Sequence, residues 1–404
     1  MKLPSRINLT QLKSCFPVWG FPLWRFPLWG SCTAAIICLC ASAPISPAES
    51  AIASETSRNN LQETSDRYRA VIPSSIPERK FTTPSWQNPQ LLETLEGHTA
   101  TVSSLAFSPD GKILASGGGR LDTKIHLWNL EKREQIATLS GHQSAVLTIV
   151  FSPDGKTQIG GGEDGLVNIW DIESKKLIHT FAAHSSHILS LAIAPDGNTL
   201  VSAALDGMVV WNLPKRQFVQ SLLRFQPTYS AAIASNGRIL ATGGKNKEIK
   251  LWNLSPNCNG NASCLAEDSN PRAVLTGHEG PVSALAFAAN GEILVSGSHD
   301  RTISLWNPSN GDRKILGRHS SEVKSLAVSP DGWAIASAGR DGIKLWDIRT
   351  GQLLSEIVEG VEGVRALAFS PDGKMLATGG ANNTIKIWQN GASVGNKGTR
   401  ESES

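Results

Sequence analysis

Short apolar runs separated by polar turns recur along most of the chain. In residues 275–308, "LTGHEGPVSALAFAANGEILVSGSHDRTISLWNP", the runs "VSALAF", "EILVSG" and "TISLW" are bounded by Gly, Asn, Asp and His. Runs of this length between such turns are typical of β-strands rather than helices. Their apolar positions are nearly continuous, which favours sheets that are buried on both faces.

The turns and the tryptophans repeat with the same period. "SPDGK" begins at residues 108, 152 and 370, "APDGN" at 194 and "SPDGW" at 329, and Asp-Gly between apolar runs signals a hairpin. Tryptophans end the third run of each unit at spacings of 42, 41, 41, 54, 40 and 42 residues: Trp128, Trp170, Trp211, Trp252, Trp306, Trp346 and Trp388. With a short fourth run such as "RKIL", the pattern predicts an all-β, seven-bladed β-propeller of four-stranded antiparallel blades.

Residues 90–390 resemble the WD-repeat β-propeller family. Gly-His opens units at Gly97, Gly141 and Gly277, and Trp-Asp closes units at Trp170 and Trp346. The resemblance implies that a hydrogen-bonded set of His, Ser or Thr, Asp and Trp holds each blade together. Four blades carry the whole set: His98, Ser116, Asp122 and Trp128 in blade one, His184, Ser202, Asp206 and Trp211 in blade three, His278, Ser296, Asp300 and Trp306 in blade five, and His319, Ser337, Asp341 and Trp346 in blade six.

Three blades depart from this set. Blade two has His142, Asp164 and Trp170, but Gly160 stands where the hydroxyl is expected. The His and Asp places hold other residues in two blades: Arg224 and Asn246 in blade four, and Gly360 and Asn382 in blade seven. Because a buried hydrogen bond contributes about 1 kcal/mol net, we expect blades four and seven to be the least stable.

The ring is predicted to close with a strand from the start of the propeller. After Trp388 the chain continues as "QNGASVGNKGTRESES", which contains no fourth strand and predicts a disordered tail over 391–404. The run "QLLETL" at 90–95 precedes the first Gly-His and can supply that strand. Pairing it into the last blade would remove the free sheet edges.

The first 48 residues have the order of a targeting segment. They contain no acidic residue, and basic residues precede the apolar run "TAAIICLCASA" at 33–43 and the small residues after it. This order predicts a secretory signal cleaved after Ala48, with an uncleaved membrane anchor as the alternative. We therefore expect an exported (periplasmic or extracellular) or membrane-anchored protein, a bacterial member of the family.

Two further segments lie before the propeller. The pentapeptide repeats "FPVWGFPLWRFPLWG" at 16–30 precede the apolar run, and we interpret them as part of the targeting segment. A Trp-rich ligand motif is the alternative interpretation. Residues 49–89 contain four prolines among polar residues and no sustained apolar period, which predicts a flexible linker.

The longest interval between tryptophans contains the only cysteines outside the N-terminal segment. Cys258 and Cys264 lie close together in an insertion at 255–270. In an exported domain such a pair predicts a disulfide, with two free thiols as the alternative. Their spacing does not match a CxxC redox or zinc motif, and the insertion has no His.

Charge and motifs exclude several function classes. All 35 acidic residues and all but four of the 38 basic residues lie after residue 48, so the body is neutral and we expect no nucleic-acid partner. The chain has no HExxH motif, and the His-Ser-Asp sets recur in successive blades, as structural sets do. We expect no enzyme activity, no metal and no cofactor. The alternative is a periplasmic propeller hydrolase or lyase, whose axial metal would need His and acidic ligands from several blades.

The resemblance implies a monomeric, non-catalytic scaffold that binds proteins or peptides and meets a membrane only through its N-terminal segment. In the family, partners contact the face that carries the His loops and the Asp turns, three and five residues after the His and one before the Asp. The residues at these places include Glu163, His187, Tyr229, Lys245, His299, Lys324, Arg340 and Arg365. Lys324, Arg340 and Arg365 fall in adjacent blades, which predicts a partner with an acidic segment or a C-terminal carboxylate.

Overall fold

The computed structural model describes residues 86–254, 270–288, 291–358, 360 and 363–391. All of them belong to one compact unit, residues 57–404. The targeting segment, most of the expected linker, Cys258 and Cys264, and residues 392–404 of the expected tail lie outside the described residues. Within the described ranges, no helix is long and apolar enough to cross a membrane.

Twenty-eight strands in the described residues form seven antiparallel sheets of four strands each. The closing strand is β1 (Pro89–Leu95). Blades one to three are β2 (Val102–Phe107), β3 (Ile113–Gly118), β4 (Ile125–Asn129), β5 (Glu134–Leu139); β6 (Val146–Phe151), β7 (Thr157–Gly162), β8 (Leu166–Asp171), β9 (Leu177–Ala182); and β10 (Ile188–Ile193), β11 (Thr199–Ala204), β12 (Gly207–Asn212), β13 (Gln217–Leu222).

Blades four to seven follow in chain order. They are β14 (Thr228–Ile233), β15 (Ile239–Gly244), β16 (Ile249–Asn253), β17 (Ala273–Leu275); β18 (Val282–Ala288), β19 (Ile293–Ser298), β20 (Thr302–Trp306), β21 (Arg313–Arg318); β22 (Ser325–Val328), β23 (Ala334–Gly339), β24 (Gly342–Asp347), β25 (Leu353–Ile357); and β26 (Val364–Phe369), β27 (Met375–Gly380), β28 (Ile385–Asn390). The seven-bladed propeller predicted from the sequence is confirmed.

The ring closes as the sequence predicts. β1 pairs antiparallel with β28, so the seventh sheet has the strand order β1-β28-β27-β26. Pro89 lies opposite Asn390 and Leu95 lies opposite Ile385. The last blade is therefore built from both ends of the described chain, which leaves no open blade in the ring.

In four blades the first hairpin is shaped by a Ser-Pro-Asp-Gly turn, which begins at residue 108, 152, 329 or 370. In blade one the Ser108 hydroxyl donates to Asp110 Oδ1 over 2.6 Å, and the Gly111 N–H donates to the Ser108 carbonyl over 2.8 Å. Gly111 has a φ of +73°, a conformation that costs glycine little and most other residues more. The repeated turn therefore fixes the register of the first two strands in the same way in successive blades.

The core lies between the blades rather than in one central cluster. Each cluster of buried side chains combines residues of two neighbouring blades, and each contains a repeat tryptophan, as Trp170 does between blades one and two. Both faces of the inner strands are therefore covered by apolar side chains. This explains why their sequences are nearly continuous in apolar residues instead of alternating.

Trp86 belongs to this core, although it lies in the segment expected to be a linker. Its side chain is 2% exposed and is part of the cluster between blades six and seven. The indole meets the ring of Phe369 edge to face, with 5.4 Å between the ring centroids. The Ser355 hydroxyl donates to the Trp86 carbonyl over 2.7 Å. The ordered propeller therefore begins before the closing strand.

Candidate functional site

Two kinds of loop form one face of the propeller, called here the top face. Strand direction alternates within a blade, so the loop that enters the first strand and the turn between the second and third strands emerge together. The hairpins between first and second strands and the connections between third and fourth strands form the opposite, bottom face. The expected partner-binding residues all belong to the loops, turns or strand ends of the top face.

Hydrogen bonds tie the two kinds of top loop together in each complete blade. In blade five, His278 Nδ1 lies 2.7 Å from Asp300 Oδ2, and His278 Nε2 lies 2.7 Å from Ser296 Oγ. Trp306 Nε1 donates to the same Ser296 hydroxyl over 2.7 Å. The backbone N–H of Glu279 donates to Asp300 over 3.0 Å. This network fixes the entry loop of the blade against its Asp turn, so the top face is preorganised in the blades that carry the complete set.

The same network is present in the other three blades with a complete set. In blade one, His98 Nδ1 lies 2.6 Å from Asp122 Oδ2, and the Trp128 indole donates to Ser116 over 2.8 Å. The corresponding His–Asp distances are 2.7 Å in blade three and 2.8 Å in blade six, and the corresponding Trp–Ser distances are 3.0 Å and 2.9 Å.

The three blades with incomplete sets have weaker networks. In blade two, with Gly160 in place of the hydroxyl, Trp170 Nε1 donates to the Ser140 carbonyl over 3.0 Å. His142 Nε2 is buried and has no partner among the described residues. Among the described residues of blades four and seven, only the indole–hydroxyl bond of the set is found, from Trp252 to Thr242 and from Trp388 to Thr378.

Blade one contains a buried histidine that the repeat pattern does not reveal. His126 Nε2 lies 3.3 Å from Asp122 Oδ1, and its ring centroid is 4.2 Å from that of His98. One atom each of His98, Asp122 and His126 could act as metal ligands within 4.8 Å of one another. All three side chains are buried, and two already hold the blade network, so a metal would have to displace these hydrogen bonds. The cluster is best explained as part of the blade structure.

Stability is expected to fall on acidification because of these histidines. Burial, together with the neighbouring His126, lowers the pKa of His98 from 6.5 to about 4, and burial also lowers the pKa of His278 and His319. Between these values the unfolded chain binds more protons than the folded one, so protons favour unfolding. Melting temperature should fall as the pH drops from 6.5 towards 4; a melting temperature that stays level or rises over this range would contradict the assignment.

The first strands surround an axial channel that opens towards the top face. Its cavity of about 270 Å³ is lined by one segment from every blade. The residue five places after the His position contributes to this lining in each blade: Ser103, Leu147, Leu189, Tyr229, Ser283, Lys324 and Arg365. In six of the seven blades a β-bulge lies at this residue, and bulges are known to redirect side chains.

Five of the expected partner-binding residues, all in blades four to seven, come close together. Tyr229, Lys324 and Arg365 line the same channel. The rings of Tyr229 and His299 are 6.3 Å apart, and His299 Nδ1 lies 3.8 Å from Glu322 Oε1, which belongs to the carboxylate that pairs with Lys324. Tyr229, His299, Glu322, Lys324, Arg340 and Arg365 are called the cationic sector below. The cationic sector contains three cationic side chains, those of Lys324, Arg340 and Arg365, and one acidic side chain, that of Glu322.

The remaining expected partner-binding residues lie outside the cationic sector. Glu163 receives hydrogen bonds from Arg120 over 2.6 Å and from the Ser144 hydroxyl over 2.9 Å, so it is engaged within blades one and two. His187 is half-buried in blade three, and Lys245 is exposed in the Asp turn of blade four. The structure thus brings together five of the eight predicted residues.

Three exposed apolar side chains, which the sequence did not predict as part of a binding site, also project from the top face. Leu121, Phe225 and Val358 are 87%, 88% and 61% exposed, and each lies in an entry loop or an Asp turn. Phe225 has a φ of +62°, an uncommon conformation for a non-glycine residue, and its N–H donates to the Asp206 carbonyl over 2.9 Å. No repeated sequence signal marks these positions, because each is peculiar to its own loop.

The alternative of a propeller enzyme requires a set of metal ligands at the axis, and the described residues that line the channel do not provide one. Among the described residues that line it, none is His, Asp, Glu or Cys. The charged groups in the lining are the cations Lys324 and Arg365, which would repel a metal ion. The channel is suited to hydroxyl-bearing and anionic groups instead.

Comparison with known proteins supports the repeat pattern. The family described as "WD domain, G-beta repeat" matches residues 89–129, 133–171, 175–212, 222–253, 269–307 and 352–389. The last two matches leave residues 308–351 uncovered. In the structure this stretch contains β22, β23 and β24, which form blade six together with the outer strand β25. The matched residues make up more than half of the chain.

Several relatives share part of the propeller. Protein HIR1 of Cryptococcus neoformans is 32% identical over 180 residues, 40% of this chain and 20% of the relative. A guanine nucleotide-binding protein subunit beta of Oryza sativa is 30% identical over 193 residues, 45% of this chain and 49% of the relative. Small ribosomal subunit protein RACK1y of Oryza sativa is 27% identical over 176 residues, 42% of this chain and 47% of the relative.

The chain spans half or less of the length of these relatives, which are all eukaryotic. Nothing in these comparisons indicates a bacterial exported protein, so export stays a prediction. The six family matches and the seven four-stranded blades indicate the same family. This chain belongs to the WD-repeat family.

Proposed function

We propose that this protein is a non-catalytic scaffold that binds an acidic or carboxylate-ending segment of a partner protein across blades four to seven. The observation that carries the proposal is the convergence of Tyr229, Lys324 and Arg365 at one channel, with Arg340 on the neighbouring Asp turn. Cations beside an aromatic ring match the chemistry of a carboxylate on a polypeptide.

Electrostatics favours an anionic partner at this place. The described residues offer no carboxylate within ion-pairing distance of Arg340 or Arg365, whereas Lys324 shares Glu322 with His299. Both arginines are exposed, so their guanidinium groups are available for bidentate hydrogen bonds to a carboxylate. Arginine and tyrosine are also enriched among the residues that dominate binding energy at interfaces.

The relatives support a role in protein assemblies. Two of them carry names that describe them as a subunit of a guanine nucleotide-binding protein and as a protein of the small ribosomal subunit. Each name places the relative in a larger assembly. A ring in which buried hydrogen bonds fix the top loops of four blades is suited to the same kind of role here.

Replacing Arg340 and Arg365 together by Ala should abolish partner capture. A hydrogen bond to a charged group contributes about 1.5–3 kcal/mol, so each lost arginine should weaken binding roughly tenfold or more. Both residues are exposed, and surface substitutions rarely change stability by more than about 0.5 kcal/mol. Affinity capture with mass spectrometry, followed by titration of the captured partner, measures the loss, and the melting temperature should stay nearly constant.

The matched control replaces two exposed lysines of the bottom hairpins, Lys112 and Lys156, by Ala. It removes the same charge from the other face and should leave capture intact. If the control loses the partners while the Arg340 and Arg365 variant keeps them, the proposed face is wrong.

A further inference from the structure

One corner of the top face, on blade four, carries positive charge that the blade network does not use. Arg224 stands at the His position of this blade and Asn246 at the Asp position. A neutral His with an Asp would carry one negative charge, whereas Arg224 with Asn246 carries one positive charge, so the exchange makes the corner more positive by two charges. The substitutions that remove the network therefore also create a charged surface.

The Arg224 side chain does not take over the role of the missing His. A cavity of about 20 Å³ remains between the entry loop and the Asp turn, and its lining includes Thr242 and Asn246 but not Arg224. Arg224 is exposed, and its side chain makes no hydrogen bond or ion pair with the described residues. Its guanidinium group is therefore available to a ligand outside the fold.

Two lysines extend the positive charge onto the Asp turn of the same blade. Lys245 and Lys247 flank Asn246, and both are exposed. The Lys245 N–H donates to the Pro227 carbonyl over 3.1 Å, which holds the turn against the entry loop that carries Arg224. Within the part of the chain that the structure describes, no carboxylate lies at ion-pairing distance from these three cations.

An aromatic side chain projects beside these cations. Phe225 is 88% exposed, and its N–H donates to the Asp206 carbonyl of blade three over 2.9 Å. On the other side, the Gln226 N–H donates to the Leu223 carbonyl over 2.8 Å. The loop backbone is thus held while the ring faces solvent. We call the following residues the blade-four patch: Arg224, Phe225, Lys245 and Lys247.

The charges around the patch favour a short peptide over a nucleic acid. A nucleic acid needs a positive surface that continues along its phosphate backbone. The neighbouring top turns carry Asp206 on blade three and Glu163 with Asp164 on blade two, so the positive charge does not continue in that direction. An acidic peptide segment needs only a local group of cations and an apolar contact, which the patch provides.

We propose that the blade-four patch binds a short segment of a partner protein in which an apolar residue stands between acidic residues. The apolar side chain packs on the ring of Phe225, and the flanking carboxylates pair with Arg224 and with the lysines of the turn. Arginine and aromatic residues are the types that dominate binding energy at interfaces. The patch shares no residue with the cationic sector, so this inference does not rest on the proposed function.

The probe is a fluorescein-labelled synthetic peptide, Gly-Ser-Glu-Glu-Leu-Glu-Glu-Ser-Gly, with an amidated C-terminus. Its fluorescence anisotropy is measured with the full chain carrying Arg340→Ala and Arg365→Ala, so that the cationic sector is disabled. Saturable binding is expected in this background, and it should weaken as NaCl is raised because salt screens exposed charges. If the probe does not bind this background saturably, the patch is not an independent site and the proposal is overturned.

Two exchanged peptides test the chemistry of the segment. Replacing the Leu of the probe by Ser removes the apolar contact, and replacing its Glu residues by Gln removes the ion pairs. Each exchange should weaken binding roughly fivefold or more. If either exchanged peptide binds as well as the probe, the proposed recognition is wrong. Displacement of the probe by an oligouridylate that binds more tightly would identify a nucleic-acid site instead.

A matched pair of aromatic variants locates the peptide. Phe225→Asn removes the ring, and Asn tolerates the positive φ of this position better than most residues do. Phe218→Asn removes another exposed aromatic side chain, from the outer strand of blade three. Phe225→Asn should weaken binding of the probe roughly fivefold or more, and Phe218→Asn should leave it unchanged.

A second pair tests the cations. Arg224→Gln together with Lys245→Gln should weaken binding of the probe roughly fivefold or more, whereas Lys112→Gln together with Lys156→Gln on the bottom hairpins should not change it. All of these side chains are exposed, so the melting temperatures should stay nearly constant. Equal binding within either pair, at unchanged melting temperature, would place the peptide elsewhere and overturn the proposal.

Discussion

Replacing Trp86 by Ala is expected to lower the free energy of unfolding by about 3–5 kcal/mol, the usual cost of removing a buried large aromatic side chain. The indole is almost completely buried between blades six and seven and meets Phe369 edge to face. Trp86 also precedes the closing strand β1 by only a few residues, so its loss should weaken the attachment of that strand. Equilibrium unfolding in urea measures the change.

The control for this variant is Phe218→Ala. Phe218 is an aromatic residue on an outer strand and is 56% exposed, so its removal leaves no enclosed cavity. It should cost much less than the Trp86 substitution. If Trp86→Ala changes stability by no more than Phe218→Ala does, the indole is not part of the core that closes the ring.

Replacing Asp300 by Ala should destabilise the protein by about 3 kcal/mol or more. The carboxylate accepts hydrogen bonds from the Thr302 N–H over 2.8 Å and the Thr302 hydroxyl over 2.6 Å, as well as from the Glu279 N–H, and it lies beside His278. Burial alone would raise the pKa of Asp300, but these hydrogen bonds hold it well below its usual value. Bonds to a charged group contribute about 1.5–3 kcal/mol each, and several are lost at once.

Blade four offers a matched control for Asp300. Asn246 occupies the place of the Asp in that blade, but it is exposed and forms no His–Asp–Ser network with Arg224. Asn246→Ala should change the free energy of unfolding by no more than about 0.5 kcal/mol. Chemical denaturation of the two variants should therefore differ clearly, and equal losses would show that the networks do not stabilise the blades.

The fold could be predicted because its determinants are local and repeated. Each Asp-Gly hairpin turn and each regularly spaced tryptophan marks one blade in the sequence. Seven similar blades in succession predict a closed ring. Trp86 could not be predicted in the same way. Its burial depends on a cluster with Ala334 and Ala336, which lie far away in the sequence and have no periodic relation to it. A single tryptophan among prolines and polar residues is typical of a linker.

The candidate site was predictable only where it follows the repeat. The residue five places after the His lines the channel in every blade, and in six blades a bulge lies at this residue, so Tyr229, Lys324 and Arg365 could be identified from spacing. His126, Leu121 and Phe225 occur once each and follow no period. The exposure of Phe225 depends on its positive φ and on a backbone contact with blade three, which the sequence of the loop does not specify.

The central claim is that the top face of blades four to seven binds the partner. Amide hydrogen exchange of the protein, alone and with the partner that it captures, tests this claim directly. We expect slower exchange in the complex at residues 223–229, 244–248, 298–301, 318–324, 339–342 and 363–365, which lie in or beside top loops of these blades. Protection confined to the bottom hairpins at 108–112, 152–156, 194–198, 329–333 and 370–374, with none in the top loops, would contradict the account.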